Sequence, residues 1–256
     1  MDLYFEKLKK ELDLRGFSHS SKKSYIMAIK KFLQFVSKPS EDLDENDLKN
    51  FQYYLLKIRN LNPKTINLHT SAILFFYQKA LNKYIIPQLI TRMKCQKKIP
   101  TVLTTDEVQR MLSVTNNLKY KTIIMTLYSA GLRVSEVIHL KVTDIDSARM
   151  VIMIRNGKGG KDRQAILSPI LLEQLRKYWI FNRKKIKGWL FPSSVSACDL
   201  DITDPPMSSG GISKIVVRAA KEANIKKQVS PHTLRHYAEF LVMPRNGWSP
   251  STRKRN

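Results

Sequence analysis

Apolar residues recur with the spacing of an α-helix through the first third of the chain, and this pattern restricts the fold more than any other feature. Between Ser20 and Tyr84 the positions that keep the spacing are Tyr25, Ile29, Phe32, Phe35, Val36, Leu48, Phe51, Leu55, Ile58, Ile66, Ile73, Phe76 and Leu81. Because this spacing gathers apolar side chains on one helix face, it predicts three or four amphipathic helices. One should begin at Asn62-Pro63, since asparagine caps helices and proline suits their first position.

The segment RMKCQKKIPT, residues 92–101, interrupts this pattern with four basic residues and no acidic one. Pro100 stops a helix that enters from the N-terminal side. We therefore predict a helical domain over 1–91, a basic linker over 92–101 and a second domain from 102. Two interpretations of the linker stay open: it lies along a phosphate backbone, or it is an ordinary solvated connector.

The second domain is predicted to be mainly helical with a small antiparallel sheet. Thr104 and Glu107 form a capping-box pattern, and helical spacing follows to about Leu140. The stretch ARMVIMIRNGKGGKDRQAILS has β-rich flanks around Asn156-Gly157, which predicts a hairpin. Helical spacing returns over 170–187 and 211–223.

The charge balance points to a polyanionic partner. Lys and Arg number 45 against 21 Asp and Glu, giving a formal charge of +24 spread over every segment. This distribution suits double-stranded DNA, although a merely lysine-rich composition and an anionic membrane surface are the alternatives. Without a long apolar run or a signal sequence, we expect a cytoplasmic protein that does not enter a membrane. Cys95 and Cys198 lack zinc-ligand spacing.

Three separated segments of the second domain each present strong cations. Arg133 follows Gly131 at a predicted helix start, and Lys158 and Lys161 lie at the hairpin tip. His232 and Arg235 stand at i and i+3 behind a Ser230 cap with Pro231 at the first helical position.

Two guanidiniums beside proton donors are what phosphoryl transfer to or from a phosphodiester requires. A helix N-terminus flanked by His and Arg also favours a phosphate. This arrangement needs no metal ion, and we expect no metal and no other cofactor.

The motifs GLRVSEVIHLKVTDID, GKGGKDR and SPHTLRH, in this order, resemble the catalytic domain of the tyrosine recombinases, or phage-type integrases, nearest to the Xer-like and integron-integrase branches. The segments FSHSSKKSYIMAIKKFLQF and NPKTINLHTSAILFFYQKAL look like the family's helical core-binding domain. The resemblance covers roughly 10–240 and implies a SAM-like helical domain followed by an α+β catalytic domain of the DNA breaking-rejoining type.

The resemblance also implies roles for individual residues. Arg133 and Arg235 would clamp the scissile phosphate, with His232 as a proton-transfer partner, Lys158 as the general acid, and Glu136 orienting Arg133. The basic residues that we expect to contact the DNA backbone are Lys22, Lys23, Lys64, Lys97, Lys98, Lys161 and Arg163.

Each of these roles has a simpler alternative. Arg133 and Glu136 could form an ordinary surface pair, worth a few tenths of a kcal/mol. Lys158 could be a solvated hairpin residue with Lys161 as the functional lysine. His232 could be a structural residue of the helix start.

The family's nucleophile is a tyrosine, expected about three dozen residues beyond His232 and hence outside this chain. We expect residues 102–240 to be an incomplete catalytic domain and 241–256 a disordered basic tail, the result of a truncation or frameshift. Tyr237 is too close to His232 to reach the same phosphate easily.

Three hypotheses follow: a site-specific recombinase or integrase that is catalytically defective on its own, a non-enzymatic DNA-binding remnant or competitor at recombination sites, or a general nucleic-acid binder whose motifs are fortuitous. The ordered motifs argue against the third. The resemblance further implies a homo-oligomer on two DNA sites, weakened because the exchanged C-terminal helix is missing.

Overall fold

The chain divides into two compact units, Met1–Lys98 and Ile99–Asn256. The computed structural model describes residues 2–40, 42–83, 90–96, 101–157, 160–182, 188–193 and 205–235. The division falls inside the segment that breaks the helical pattern. Among the described residues, no helix combines the length and the apolar character needed to cross a membrane.

The first unit is entirely helical over its described residues. Its elements are α1 (Asp2–Leu14), α2 (His19–Val36), α3 (Glu45–Tyr53), a π-helical turn (Tyr54–Ile58) and α4 (Pro63–Lys79). The predicted start at Asn62-Pro63 is confirmed, since the Lys64 amide donates to Asn62 Oδ1 at 3.0 Å. Helix α1 lies upstream of the periodic region and was not predicted.

Most of the periodic apolar residues form the core of the first unit, but Phe35 and Ile58 are exposed, at 39% and 71%. Its largest fully buried side chains are Phe32, Phe51, Phe76, Tyr77, Ile29, Ile66, Ile73, Leu8, Leu12 and Leu48. The residues that α1 contributes, Leu8 and Leu12, close one side of this core. Burying so much apolar surface supplies the main driving force for folding of the unit.

Residues 90–96 pack on the first unit rather than extending away from it. The Asn67 amide group donates to the Met93 carbonyl at 2.9 Å and accepts from its N–H at 3.0 Å. Arg92 donates to Ser71 Oγ at 2.8 Å, and Gln52 donates to the Thr91 carbonyl at 3.2 Å. Residues 92–96 of the predicted linker are therefore held against the side of α4.

The second unit contains five α-helices whose two ends both lie among its described residues. They are α5 (Thr105–Val114), α6 (Leu118–Ser129), α7 (Val134–Ile138), α8 (Pro169–Phe181) and α9 (Ser209–Glu222). Residues 231–235 are also helical. The predicted capping box of α5 is confirmed, with Glu107 N–H to Thr104 Oγ1 at 3.2 Å and Thr104 N–H to Glu107 Oε2 at 2.7 Å.

A three-stranded antiparallel sheet stands between α7 and α8 in the chain. Its strands are β1 (Ile145–Asp146), β2 (Val151–Ile154) and β3 (Arg163–Ile166), in that order. The predicted hairpin is present, with Ile154 opposite Arg163. Its connection is longer than a tight turn at Asn156-Gly157, because the strands end at 154 and restart at 163.

Candidate active site

Arg133 is presented by a sharp change of chain direction between two helices. Helix α6 ends at Ser129, and Gly131 takes a left-handed conformation with φ of +61°, which glycine adopts without steric cost. Arg133 is then the N-cap residue of α7. Its side chain consequently leaves the backbone at a helix start, as the sequence predicted.

Glu136, one turn into α7, is the centre of the site, and its side chain is only 4% exposed. Its Oε1 accepts from Arg133 Nη1 at 2.7 Å, and its Oε2 accepts from the Arg133 backbone N–H, also at 2.7 Å. Oε2 accepts a third hydrogen bond from Arg163 Nη2 at 2.7 Å. Arg235 Nη1 lies 4.0 Å from the same oxygen.

The three guanidiniums around this carboxylate, from Arg133, Arg163 and Arg235, are called the arginine cluster below. Their positions in the chain are far apart, so only the fold brings them together. Burial raises the pKa of the Glu136 carboxyl, but hydrogen bonds from the Arg133 N–H and from the Arg163 and Arg133 guanidiniums outweigh it and hold that pKa below its ordinary value. Glu136 is therefore ionised at neutral pH.

Arg235 is delivered by the helix over 231–235. Ser230 and Thr233 cap its start reciprocally: the Ser230 N–H donates to Thr233 Oγ1 at 3.1 Å and the Thr233 N–H donates to Ser230 Oγ at 3.4 Å. The predicted Ser230-Pro231 start is thus confirmed. Arg235 is 13% exposed, whereas His232 is exposed on the same short helix.

The hairpin tip closes on itself beside Glu136. The Gly157 N–H donates to the Lys161 carbonyl at 3.0 Å, and the Asn156 N–H donates to Asp162 Oδ1 at 2.8 Å. A Cβ at Gly157 would stand 2.7 Å from the Lys161 carbonyl oxygen and 3.8 Å from Glu136 Oε1. Only glycine therefore fits this close to the Lys161 carbonyl, whereas the distance to Glu136 is an ordinary van der Waals contact.

The structure thus brings together Arg133, Glu136, Arg163 and Arg235 of the predicted residues. Lys161 is exposed in the connection that follows Gly157. Lys158, Lys97, Lys98 and the predicted tail over 241–256 lie outside the described residues. In the first unit Lys23 and Lys64 are exposed near the starts of α2 and α4, whereas Lys22 Nζ contacts the Asp13 carboxylate.

Two ion pairs of the site bear on the sequence interpretation. The pair of Arg133 and Glu136 is not an ordinary surface pair, because its carboxylate is buried. Arg163, predicted among the DNA contacts, has its guanidinium on Glu136.

The arginine cluster carries more positive charge than its one carboxylate neutralises. Three guanidiniums and one carboxylate leave an excess of two positive charges at the cluster. A partly enclosed set of guanidiniums binds phosphate oxygens by charge-assisted, often paired hydrogen bonds. The chemistry available is therefore binding of a phosphate or another oxyanion.

Two family models match the chain. The first, described as the phage integrase family, covers residues 101–252, and the second, described as the phage integrase N-terminal SAM-like domain, covers residues 4–87. The chain belongs to the phage integrase family. The first match ends beyond Arg235 and includes part of the segment predicted to be a tail.

Individual members of the tyrosine recombinases agree with this assignment. The Sinorhizobium fredii protein y4qK, named as an integrase/recombinase, is 35% identical over 90% of this chain and 72% of its own length. A tyrosine recombinase of Thermosipho africanus is 33% identical over 90% of this chain and 81% of its own. The Tn1549 transposon integrase, solved in complex with transposon right end DNA, superposes with a TM-score of 0.69 at 20% identity, covering 95% of this chain and 87% of its own.

Proposed function

We propose that the chain binds duplex DNA and holds one backbone phosphate between Arg133 and Arg235, as part of the site-specific recombination and integration that the family carries out. One observation carries this proposal: arginines from two distant segments converge on the buried carboxylate of Glu136 in a member of the phage integrase family. The solved Tn1549 and lambda integrases are bound to DNA.

The other residues of the site would act on the same phosphate. His232 would contact it and transfer protons, since it lies one turn before Arg235 and is exposed. Lys158 would protonate the departing 5′-oxygen, and Lys161 is the alternative. Glu136 would orient Arg133, because it accepts hydrogen bonds from both the side chain and the backbone of that residue.

We assign DNA binding to both units. The first unit, the core-binding domain, would use Lys22, Lys23 and Lys64, and the linker would use Lys97 and Lys98. Counter-ion release on contacting many phosphates accounts for the large positive charge of the chain. A DNA substrate also favours the cytoplasmic location expected from the sequence.

The 256-residue chain by itself is proposed to bind DNA without cleaving it. Of its ten tyrosines only Tyr237 follows Arg235, and its distance in sequence from His232 is too short for it to reach the same phosphate easily. In this form the protein would occupy recombination sites as a competitor. A solved lambda integrase is a tetramer on a Holliday junction, and we propose that several copies of this chain assemble on DNA.

Binding is tested by fluorescence anisotropy with a labelled duplex of mixed sequence. We expect affinity to fall about tenfold or more between about 50 and 200 mM salt, because released counter-ions set the salt dependence. Arg133→Ala and Arg235→Ala should each weaken binding about threefold to tenfold, the loss expected for one charged hydrogen-bonding partner. Arg218→Ala, which removes an exposed cation paired with Glu222, is the matched control. A dissociation constant independent of salt would refute the proposal.

Cleavage is tested with nicked suicide duplexes, which trap any protein–DNA ester. We expect retarded DNA in native gels and no adduct in denaturing gels. An adduct that disappears in Tyr237→Phe would overturn the non-cleaving part and identify the nucleophile, while leaving the binding proposal in place.

A further inference from the structure

Arg163 links the hairpin to the arginine cluster through a buried carboxylate. It opens β3, and its Nη2 donates to Glu136 Oε2 at 2.7 Å across 27 positions of sequence. The carboxylate is 4% exposed and the arginine 36% exposed. Because a charge held away from water needs a partner, this ion pair is costly to break.

The opposite strand of the hairpin has an equivalent anchor. Arg155, next after β2, donates from Nε to Asp144 Oδ1 at 2.9 Å, and the Asp144 side chain is 4% exposed. Ile154 pairs with Arg163, so Arg155 lies one residue beyond the level of Arg163. Arg155 does not contact Glu136, which makes it a natural comparison for Arg163.

We infer that Arg163 is a positioning residue: by occupying Glu136 Oε2 it fixes the orientation of Arg133 and docks the hairpin tip against the phosphate pocket. This inference rests on the proposed function and assigns to Arg163 a role other than DNA contact. Gly157 of the same hairpin also lies beside this carboxylate, since a Cβ built there would stand 3.8 Å from Glu136 Oε1.

Removing Arg163 changes the partners of Glu136 rather than only loosening them. Oε2 would keep the hydrogen bond from the Arg133 backbone, and Arg235 Nη1 lies 4.0 Å from the same oxygen. A movement of about 1 Å would bring that group into hydrogen-bond distance. Arg235 would then be drawn toward Glu136 and away from a bound phosphate.

A double-mutant cycle on DNA affinity separates positioning from direct contact. Arg163→Gln should weaken binding about threefold to tenfold in the wild-type background, and by less than about twofold in the Glu136→Gln background. A direct phosphate contact instead predicts equal effects in both backgrounds; that result would overturn the inference.

Arg155→Gln is the matched control, since it removes an anchor of the same hairpin that does not reach Glu136. It should show no coupling to Glu136→Gln. Coupling as large as that of Arg163 would reduce Arg163 to a general support of the hairpin and overturn the inference.

Folding of each variant is checked by thermal unfolding followed by circular dichroism. If Arg163→Gln does not fold, the cycle uses Arg163→Lys, which keeps the charge but offers one donor group in place of a planar fork. Arg163→Lys should weaken binding only while Glu136 is present. Equal weakening without Glu136 contradicts the inference.

The two proposals fail in different ways. If Arg133→Ala and Arg235→Ala bind DNA as tightly as the wild type, the proposed function fails. If both weaken binding while Arg163 and Glu136 act independently, only the positioning role fails.

Discussion

At the scale of single residues, the sequence predicted contacts between near neighbours and missed those that depend on docking. The spacing of Arg133 and Glu136 predicted their pairing, and the structure has it at 2.7 Å. Burial of Glu136 and its bond to Arg163 depend on where the hairpin lies against α7. No local pattern encodes this, because the two residues meet only after the sheet has packed.

Gly157→Ala tests the fit of the hairpin tip. A Cβ would stand 2.7 Å from the Lys161 carbonyl oxygen, which belongs to the backbone and cannot rotate away. We expect a loss of about 1–3 kcal/mol in the free energy of unfolding, the usual range for overpacking, together with weaker DNA binding. Chemical denaturation and anisotropy measure the two effects.

Gly210→Ala is the control for this substitution. Gly210 lies in the first turn of α9, where an added Cβ would approach only Ser208 Oγ, at 4.0 Å. Because alanine restricts the unfolded chain, this change should be neutral or stabilising by up to about 1 kcal/mol. A Gly157→Ala variant as stable as Gly210→Ala would show that the tip is not tightly packed.

At the scale of elements, helix starts were predictable because their signals span only three or four residues. Asn62-Pro63, Thr104 with Glu107, and Ser230-Pro231 all begin helices as expected. The π-helical turn Tyr54–Ile58 and the packing of residues 90–96 on α4 were not predicted. Both depend on tertiary contacts, which periodicity does not report.

Glu107→Gln tests the capping box at the start of α5, where the same residue also contacts Lys227 in a distant segment. Glu107 Oε2 accepts from the Thr104 N–H at 2.7 Å and from Lys227 Nζ at 2.8 Å, joining α5 to the segment before Arg235. The hydrogen bond from Lys227 is the main cause of the lowered pKa of Glu107. The stabilisation that ionised Glu107 provides is fully present above its ordinary pKa of 4.5. It is lost as the pH falls through the lower pKa of the folded state.

The expected loss in Glu107→Gln is about 1 kcal/mol or less at neutral pH, because glutamine keeps the capping-box hydrogen bond but loses the charge that pairs with Lys227. Thermal unfolding measures it, and the difference from the wild type should shrink in acid. Glu173→Gln, which removes an exposed i,i+4 partner of Lys177 on α8, should leave the melting temperature nearly unchanged. Equal effects of the two variants would mean that the contact with Lys227 contributes nothing.

At the scale of the whole molecule, the position at which the helical pattern breaks predicted two units. Each has its own buried core, one built around Phe32, Phe51 and Phe76 and the other around Leu127, Leu132 and Phe191. Periodicity reports these cores well because apolar burial is what drives each unit to fold. Two separate cores also predict two unfolding transitions rather than one.

Lowering the pH from about 7.5 to about 5.5 should destabilise the first unit selectively. His69 is buried in that unit, its Nδ1 has no hydrogen-bond partner among the described residues, and burial followed by the nearby charge of Lys31 lowers its pKa from 6.5. A lowered folded pKa means that the unfolded chain binds the proton first, so stability is lost as the pH falls below 6.5.

Each unit by which the folded pKa lies below the unfolded one lowers the free energy of unfolding by about 1.4 kcal/mol once the histidine is fully protonated. Glu136 in the second unit has a pKa below 4.5 and does not respond in this range. Calorimetry should show one transition moving to lower temperature, and His69→Leu should abolish that movement; a shift that persists in His69→Leu would assign it to another group.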